Sequence, residues 1–277
     1  MLFVLAFKDS DYVMIFGLEN QIFEHSFKFY ICILSIPEFP DMKKLRIHYF
    51  QHVAFESLGS IEDWISLSGH SLTSTRFFES SKIPEIADID WLILMGGGMS
   101  VHDEEQFPWL EDEKQFIRQA IDAGKIVIGI CLGSQLVSEV LGARVYQNKD
   151  KEVGWFDIEL TCFAKSNNLF FGMEDRTKVF HWHGDTFDLP EHAIHLAYSR
   201  ACKNQAYIYK DKVLALQFHL EHTFNSLEQM IENGRIELTT GKFVQSEKKL
   251  LMNKKLLESN RIILFVLLNR LAEQERS

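Results

Sequence analysis

The sequence has no apolar run approaching the ~18 residues of a membrane-spanning helix. Its two early apolar stretches, at 1–7 and 30–36, are short and separated by Lys8, Asp9, Asp11, Glu19 and Glu24. No basic segment precedes the first stretch and no small-x-small site follows it, which argues against a secretory signal. The four cysteines, Cys32, Cys131, Cys162 and Cys202, form no C-x-x-C pair, so neither a disulfide framework nor a zinc ribbon is indicated. A reducing, cytoplasmic setting is expected. Basic residues are also in deficit: 29 Lys and Arg against 39 Asp and Glu give a net charge of -10, which opposes binding to nucleic acid or to membrane surfaces. There is no internal repeat, no low-complexity tract and no P-loop. The triglycine at 96–98 is neither followed by Lys-Ser/Thr nor spaced as G-x-G-x-x-G, so it carries little signal for a nucleotide.

What is present is an ordinary globular composition, 46% hydrophobic and 25% charged over 277 residues. Apolar patterning predicts a strand at 45–50, a helix at 61–68, strands at 71–78 and 91–95, a helix at 111–123, a strand at 126–130 and a helix at 134–141. Alternation of this kind points to a parallel sheet covered on both faces. The stretch 145–215 is richer in short strand-like pieces and reads as the antiparallel part of a mixed sheet. Beyond His222 the pattern is helical again, at 226–232 and 247–274. There Leu250, Leu251, Leu256, Leu257, Ile262, Ile263, Phe265 and Leu268 form a broad apolar stripe. Such a stripe more often packs on its own domain than forms the seam of a homodimer. The expected division is an appendage at 1–41, such as an over-extended gene start, a main domain at 42–240, and a helical extension at 241–277 packing on it.

Cys131 is the residue that carries most information. It ends an apolar strand and begins a helix, flanked by glycines, in G-I-C-L-G-S-Q at 129–135. That is the layout of a nucleophile elbow with cysteine in place of serine. A thiol on such a turn is expected to be exposed, hard to bury and easy to ionise, with backbone N–H groups of a helix N-terminus facing it. A histidine and a carboxylate that could serve it appear in Q-F-H-L-E at 217–221, where His219 and Glu221 fall on one face of an extended chain. The glycines at 96–98 follow a third strand end and allow the close backbone approach that an oxyanion-binding N–H needs. Each feature alone has a bland explanation as core thiol, packed histidine, solvated acid or turn. Their joint occurrence at predicted strand ends is what specifies an acyl-transfer site.

At these residues the chain resembles the class I (triad) glutamine amidotransferases, over roughly residues 42–228. The motifs G-G-G-M-S-V at 96–101, G-I-C-L-G-S-Q, H-W-H-G-D-T-F at 181–187 and Q-F-H-L-E stand in the family order, and the likeness is greatest to the stand-alone GMP-synthase-like members. The resemblance implies a flavodoxin-like α/β fold, a three-layer sandwich around a mostly parallel mixed sheet. It implies Cys131 as nucleophile, His219 as base and Glu221 as its orienting acid, with the N–H groups of Gly97 and Leu132 as oxyanion hole. Gly133, Gln135, His183, Gly184 and Asp185 would hold the glutamine or γ-glutamyl group. Gly98 and Leu220 stand where many of the family have proline.

No cofactor and no metal are expected. The weaker alternative is a zinc or iron site built from His181, His183 and Asp185, with His219 and His222 as further donors. Trp155, Trp182 and Phe187 are expected near the pocket or in the core, Asn204 and Gln205 along the pocket or in a turn, and Cys162 and Cys202 as buried thiols. The implied activity is hydrolase or transferase chemistry on a γ-glutamyl amide. Its partners would be a small γ-glutamyl substrate and, where ammonia is passed on, a separate synthetase subunit. The reading of another class is a non-catalytic binding module.

Overall fold

The computed structural model describes residues 44–274 and, of the residues before them, only the backbone of three strands. Those strands, β1 (Leu2–Ala6), β2 (Tyr12–Gly17) and β3 (Tyr30–Ser35), form an antiparallel sheet in the order β1-β2-β3. They belong to one compact unit, Met1–Lys44, and the remainder to a second, Leu45–Ser277. The expectation that 1–41 is an appendage lies largely outside the described residues.

The second unit is built on five parallel strands. From the centre outward these are β12 (Val213–Leu216), β7 (Ile126–Ile130), β6 (Trp91–Leu94), β4 (Arg46–Gln51) and β5 (Ser71–Arg76). Their side chains sort by parity. Ile47, Tyr49, Trp91, Ile93, Ile126, Ile128, Leu214 and Leu216 join one core cluster. Phe50, Leu92, Leu94, Val127, Val213 and Ala215 join another on the opposite face. That is why β6, β7 and β12 read as continuous apolar runs: in the middle of a sheet covered on both sides neither parity meets water, whereas the edge strand β5 is largely polar.

Helix α1 (Ser60–Leu67) brings Ile61 and Trp64 to the first cluster, while α2 (Trp109–Asp122) and α3 (Leu132–Val140) bring Phe116, Ile117, Ala120, Leu136 and Val137 to the second. The sheet continues through antiparallel β11 (Ala206–Tyr209), β10 (Ile194–Ser199) and β8 (Val145–Leu160), and β8 pairs with β9 (Arg176–Phe187). The short α4 (Cys162–Ser166) lies between β8 and β9 in the chain. This is a mixed, mostly parallel sheet between helical layers, the flavodoxin-like arrangement.

Helix α5 (Phe224–Gly234) starts at a capping box made by Thr223 and Ser226. The C-terminal helical stretch departs from the single helix expected at 247–274. It breaks at Met252–Asn253 into α6 (Glu247–Leu251) and α7 (Lys254–Gln274). The Leu250 carbonyl, which a continuous helix would give to Lys254 N–H, instead accepts from Trp155 Nε1 at 2.9 Å. Leu250 is thereby drawn into a third cluster with Trp155 and Phe180, and α7 turns to lay Leu264, Leu267, Leu268 and Leu271 on the first. The two-residue strand β13 (Phe243–Val244), parallel to β8, has no sequence signal of its own. No described helix is long and apolar enough to cross a membrane.

Candidate active site

The parallel strands all end on one edge of the sheet, and in such folds ligands meet the loops at those carboxyl ends. Strand β7 runs directly into Cys131, whose φ of 51° is left-handed. Its N–H is held by the Leu216 carbonyl of β12 at 2.8 Å. The turn is tight because α3 packs directly on the sheet: Gly133 N–H bonds the Met95 carbonyl at 3.2 Å, and a Cβ on Gly133 would collide with the Leu94 backbone. The elbow is thus present, with α3 starting at Leu132.

His219 follows β12 and is fixed by its own backbone, its N–H donating to the Phe180 carbonyl of β9 at 2.8 Å. Its Nδ1–H donates to Glu221 Oε1 at 2.6 Å. Glu221 Oε2 accepts from the Leu220 N–H at 3.0 Å, a bond that proline at that position could not make. Nε2 has no completed hydrogen bond among the described residues. Yet imidazole and thiol are close enough for each to shift the other's proton affinity. Cys131 Sγ itself lies 3.5 Å from the Trp182 carbonyl oxygen.

One expectation fails here. Cys131 is 6% exposed, and burial pushes its thiol up, outweighing the pull of His219 and of the Leu132 N–H. Burial likewise disfavours the His219 imidazolium, but Glu221 and Cys131 together hold its pKa well above the ordinary value. Burial would raise Glu221, yet His219 outweighs it and holds that carboxyl at about 2. A thiolate in this closed pocket therefore forms as half of an ion pair with imidazolium, not as a freely solvated anion.

The other expected residues are distributed as follows. Gly97 follows β6 beside the elbow, its Cα between His52 and Leu132. Gln135 is buried and donates to Gln217 Oε1 at 3.1 Å, so it is engaged within the protein. His183 Nδ1 lies 2.9 Å from the Asp185 carbonyl and its Nε2 3.3 Å from Glu152 Oε2, while Gly184 and Asp185 are half-buried. Gln205 donates to the same Glu152 oxygen at 2.7 Å, and Asn204 Nδ2 to the Phe187 carbonyl at 2.8 Å, so both serve the framework.

Trp182 reaches Cys131 through its carbonyl. Trp155 and Phe187 are core residues of separate clusters. Cys202 is buried, but Cys162 is exposed, contrary to expectation, because it begins a one-turn surface helix. Among the described residues, two groups bring three metal-ligand atoms within 4.8 Å: Glu152, His181 and His183, and His219, Glu221 and His222. The first is the expected histidine pair with Glu152 in place of Asp185.

Three site residues have no motif to announce them. Glu56, in the loop after β4, is 5% exposed, and burial lifts its carboxyl to about 7, with His219 opposing and Glu221 adding. A Cβ on Gly96 would overlap Glu56 Oε2 and come to 3.5 Å from Cys131 Cβ, so this acid stands beside Cys131. His52, in the same loop, bonds the Gly96 carbonyl and Glu113. For His52 and Glu56 their position after a parallel strand was the available clue; Glu113, on α2, had none.

A sequence profile described as glutamine amidotransferase class-I matches residues 59–238. The chain is 35% identical over 198 residues to the glutamine amidotransferase-like protein YfeJ of Salmonella typhimurium, covering 70% of this chain and 83% of that one. It is 28% identical over 222 residues to γ-glutamyl peptidase 4 of Arabidopsis thaliana (76% and 84% covered). It is also 26% identical over 180 residues to one subunit of the glutamine-hydrolyzing GMP synthase of Picrophilus torridus (62% and 92%). Among solved structures, a glutamine amidotransferase of Thermotoga maritima superposes with a TM-score of 0.76 at 33% identity, covering 83% of this chain and 98% of the other.

Proposed function

Because the chain belongs to the class-I glutamine amidotransferase family, whose members are cysteine-dependent enzymes, we propose that it releases ammonia or an amine from a γ-glutamyl amide through a thioester on Cys131. The observation that carries this is the 2.6 Å pairing of His219 with Glu221, which leaves Nε2 for the thiol at the elbow. His219 takes the proton from Sγ as the sulfur bonds to the γ-carbonyl carbon. The oxyanion is received by the N–H groups of Gly97 and Leu132. As the C–N bond breaks, His219 returns its proton to the leaving nitrogen. Water, deprotonated by the same imidazole, then attacks the thioester, the C–S bond breaks and the thiol is regenerated. Gln135, Gly133 and the segment His183–Asp185 are the proposed frame for the glutamyl group.

Two substrates fit this chemistry, and the relatives named above supply a precedent for each. One is by name a γ-glutamyl peptidase, whereas the other is one subunit of a synthase that hydrolyses glutamine. Glutamate release from glutamine and from a panel of γ-glutamyl dipeptides, with Cys131→Ala as control, decides between them. We expect turnover of at least one γ-glutamyl compound by the protein alone, abolished in Cys131→Ala. No turnover alone, with strong activation by one co-purifying synthetase, would favour the partner-dependent reading. Unchanged turnover in Cys131→Ala would refute both.

A further inference from the structure

The glycine loop beside Cys131 is held from behind by a buried pair that the mechanism above does not use. His52 lies in the loop after β4, ahead of the segment that matches the family profile. The rings of Phe77 and Trp109 stack on it, each with its centroid 5.7 Å away. Its Nδ1 is 3.0 Å from the Gly96 carbonyl oxygen and its Nε2 is 2.9 Å from Glu113 Oε1 on α2. Both side chains are 0% exposed. Burial opposes charge on His52, but Glu113 and the Gly96 carbonyl raise its pKa, so a proton on each ring nitrogen, one for each acceptor, suits the site.

A trans peptide is planar, with its C=O and N–H pointing in opposite directions. Turning the Gly96 carbonyl toward His52 therefore turns the Gly97 N–H away from it. The side of Gly96 on which a Cβ would stand faces Glu56 Oε2, which fills it, and Cys131 Cβ at 3.5 Å. Gly97 is wedged so closely that a Cβ there would meet His52 Cβ at 3.0 Å and Leu132 Cδ2 at 2.9 Å. The loop thus has little freedom to rotate this peptide while His52 holds its carbonyl. We propose that His52, braced by Glu113, is a positioning residue that aims the Gly97 N–H at the oxyanion of the reacting γ-carbonyl. The proposal rests on the acyl-transfer reading above.

The bland rival is that the pair merely staples α2 to the loop after β4. Two substitutions separate the readings. His52→Asn keeps a donor near the Nδ1 position for the Gly96 carbonyl and gives up Glu113. His52→Gln keeps a donor near the Nε2 position for Glu113 and gives up Gly96. Both are assayed on γ-glutamyl-p-nitroanilide and glutamine, with melting temperatures and the rate of Cys131 alkylation by iodoacetamide, a reaction that forms no tetrahedral oxyanion. Loss of a whole oxyanion donor costs roughly 10²–10³ in kcat, so misaiming one should cost about 10- to 100-fold.

His52→Gln should show that fall in kcat with KM little changed, while His52→Asn retains most of kcat and alkylation rates stay equal. Glu113→Gln, which keeps an acceptor for Nε2, should lose only a few-fold in kcat. Equal losses in the two His52 variants, the reverse order, or unchanged kcat in both His52→Gln and Glu113→Gln would overturn the proposal while leaving acyl transfer standing. Absence of any turnover by the unsubstituted protein, both alone and with a co-purifying synthetase, would refute the acyl-transfer reading and this proposal with it.

Discussion

Replacing Glu56 by glutamine should change how stability depends on pH, by an amount that follows from the site. The carboxyl titrates at about 7 in the folded protein against an ordinary 4.5, because burial penalises its charge beside the ionised Glu221. A folded-state pKa above the unfolded one means that the folded state holds the proton more tightly. The associated stability is fully present below 4.5 and is lost as pH rises through about 7. Integrating the linkage with these two values gives a loss of about 2.5 kcal/mol between about pH 5 and about pH 8. Glutamine has nearly the same shape and cannot ionise, so Glu56→Gln should lack this loss.

The measurement is denaturant unfolding of both proteins across that range. Groups common to the two cancel in the difference, which should move in favour of the variant as pH rises. In melting temperature this corresponds to a relative gain of roughly 5–10 °C for a chain of this size. Parallel pH profiles would show that Glu56 is already ionised and solvated in the folded protein. The account of a protonated acid beside Cys131 would then be wrong.

Glu221→Gln should lower kcat by about 10²–10⁴ with the fold retained, since an amide can no longer fix the His219 tautomer or stabilise its imidazolium; steady-state kinetics beside a circular-dichroism melt check this. Gly96→Ala should cost turnover out of proportion to stability, because its methyl would overlap Glu56 Oε2, displacing that carboxyl from its place beside Cys131; overpacking of this kind costs about 1–3 kcal/mol, read by denaturant titration. Exhaustive chelation should leave turnover intact, and elemental analysis should find less than one metal ion per chain. A stoichiometric ion, lost together with activity, would instead direct attention to Glu152, His181 and His183.

The fold was largely legible because a sheet buried on both faces writes itself as apolar runs, and the strand at Ile126–Ile130 was read with its true ends. The grouping of Cys131, His219 and Glu221 at strand ends was legible for the same reason, each standing where a strong strand signal stops. His52, Glu56 and Glu113 were not, because an isolated polar residue in a loop or on a helix looks solvated until tertiary packing buries it. The burial of Cys131 was missed likewise: an elbow projects a side chain, but the Trp182 carbonyl that closes over it comes from a distant strand. The break after Leu250 depends on Trp155 claiming a carbonyl, a competition that no local propensity encodes.

The bond from Cys131 N–H to the Leu216 carbonyl, and that from Ser60 N–H to the Glu221 carbonyl, join stretches far apart in the chain. Parallel strands cannot pair through a local hairpin, so each such link closes a long loop, which makes non-local pairing slow. Cys131 and the segment that carries His219 and Glu221 are therefore brought to the sheet edge by the slowest class of contact in the molecule. During synthesis Cys131 leaves the ribosome before His219 has been made. A partly made or partly folded chain holds the Cys131 thiol with no imidazole beside it, so the thiolate–imidazolium pair can form only once the sheet is complete.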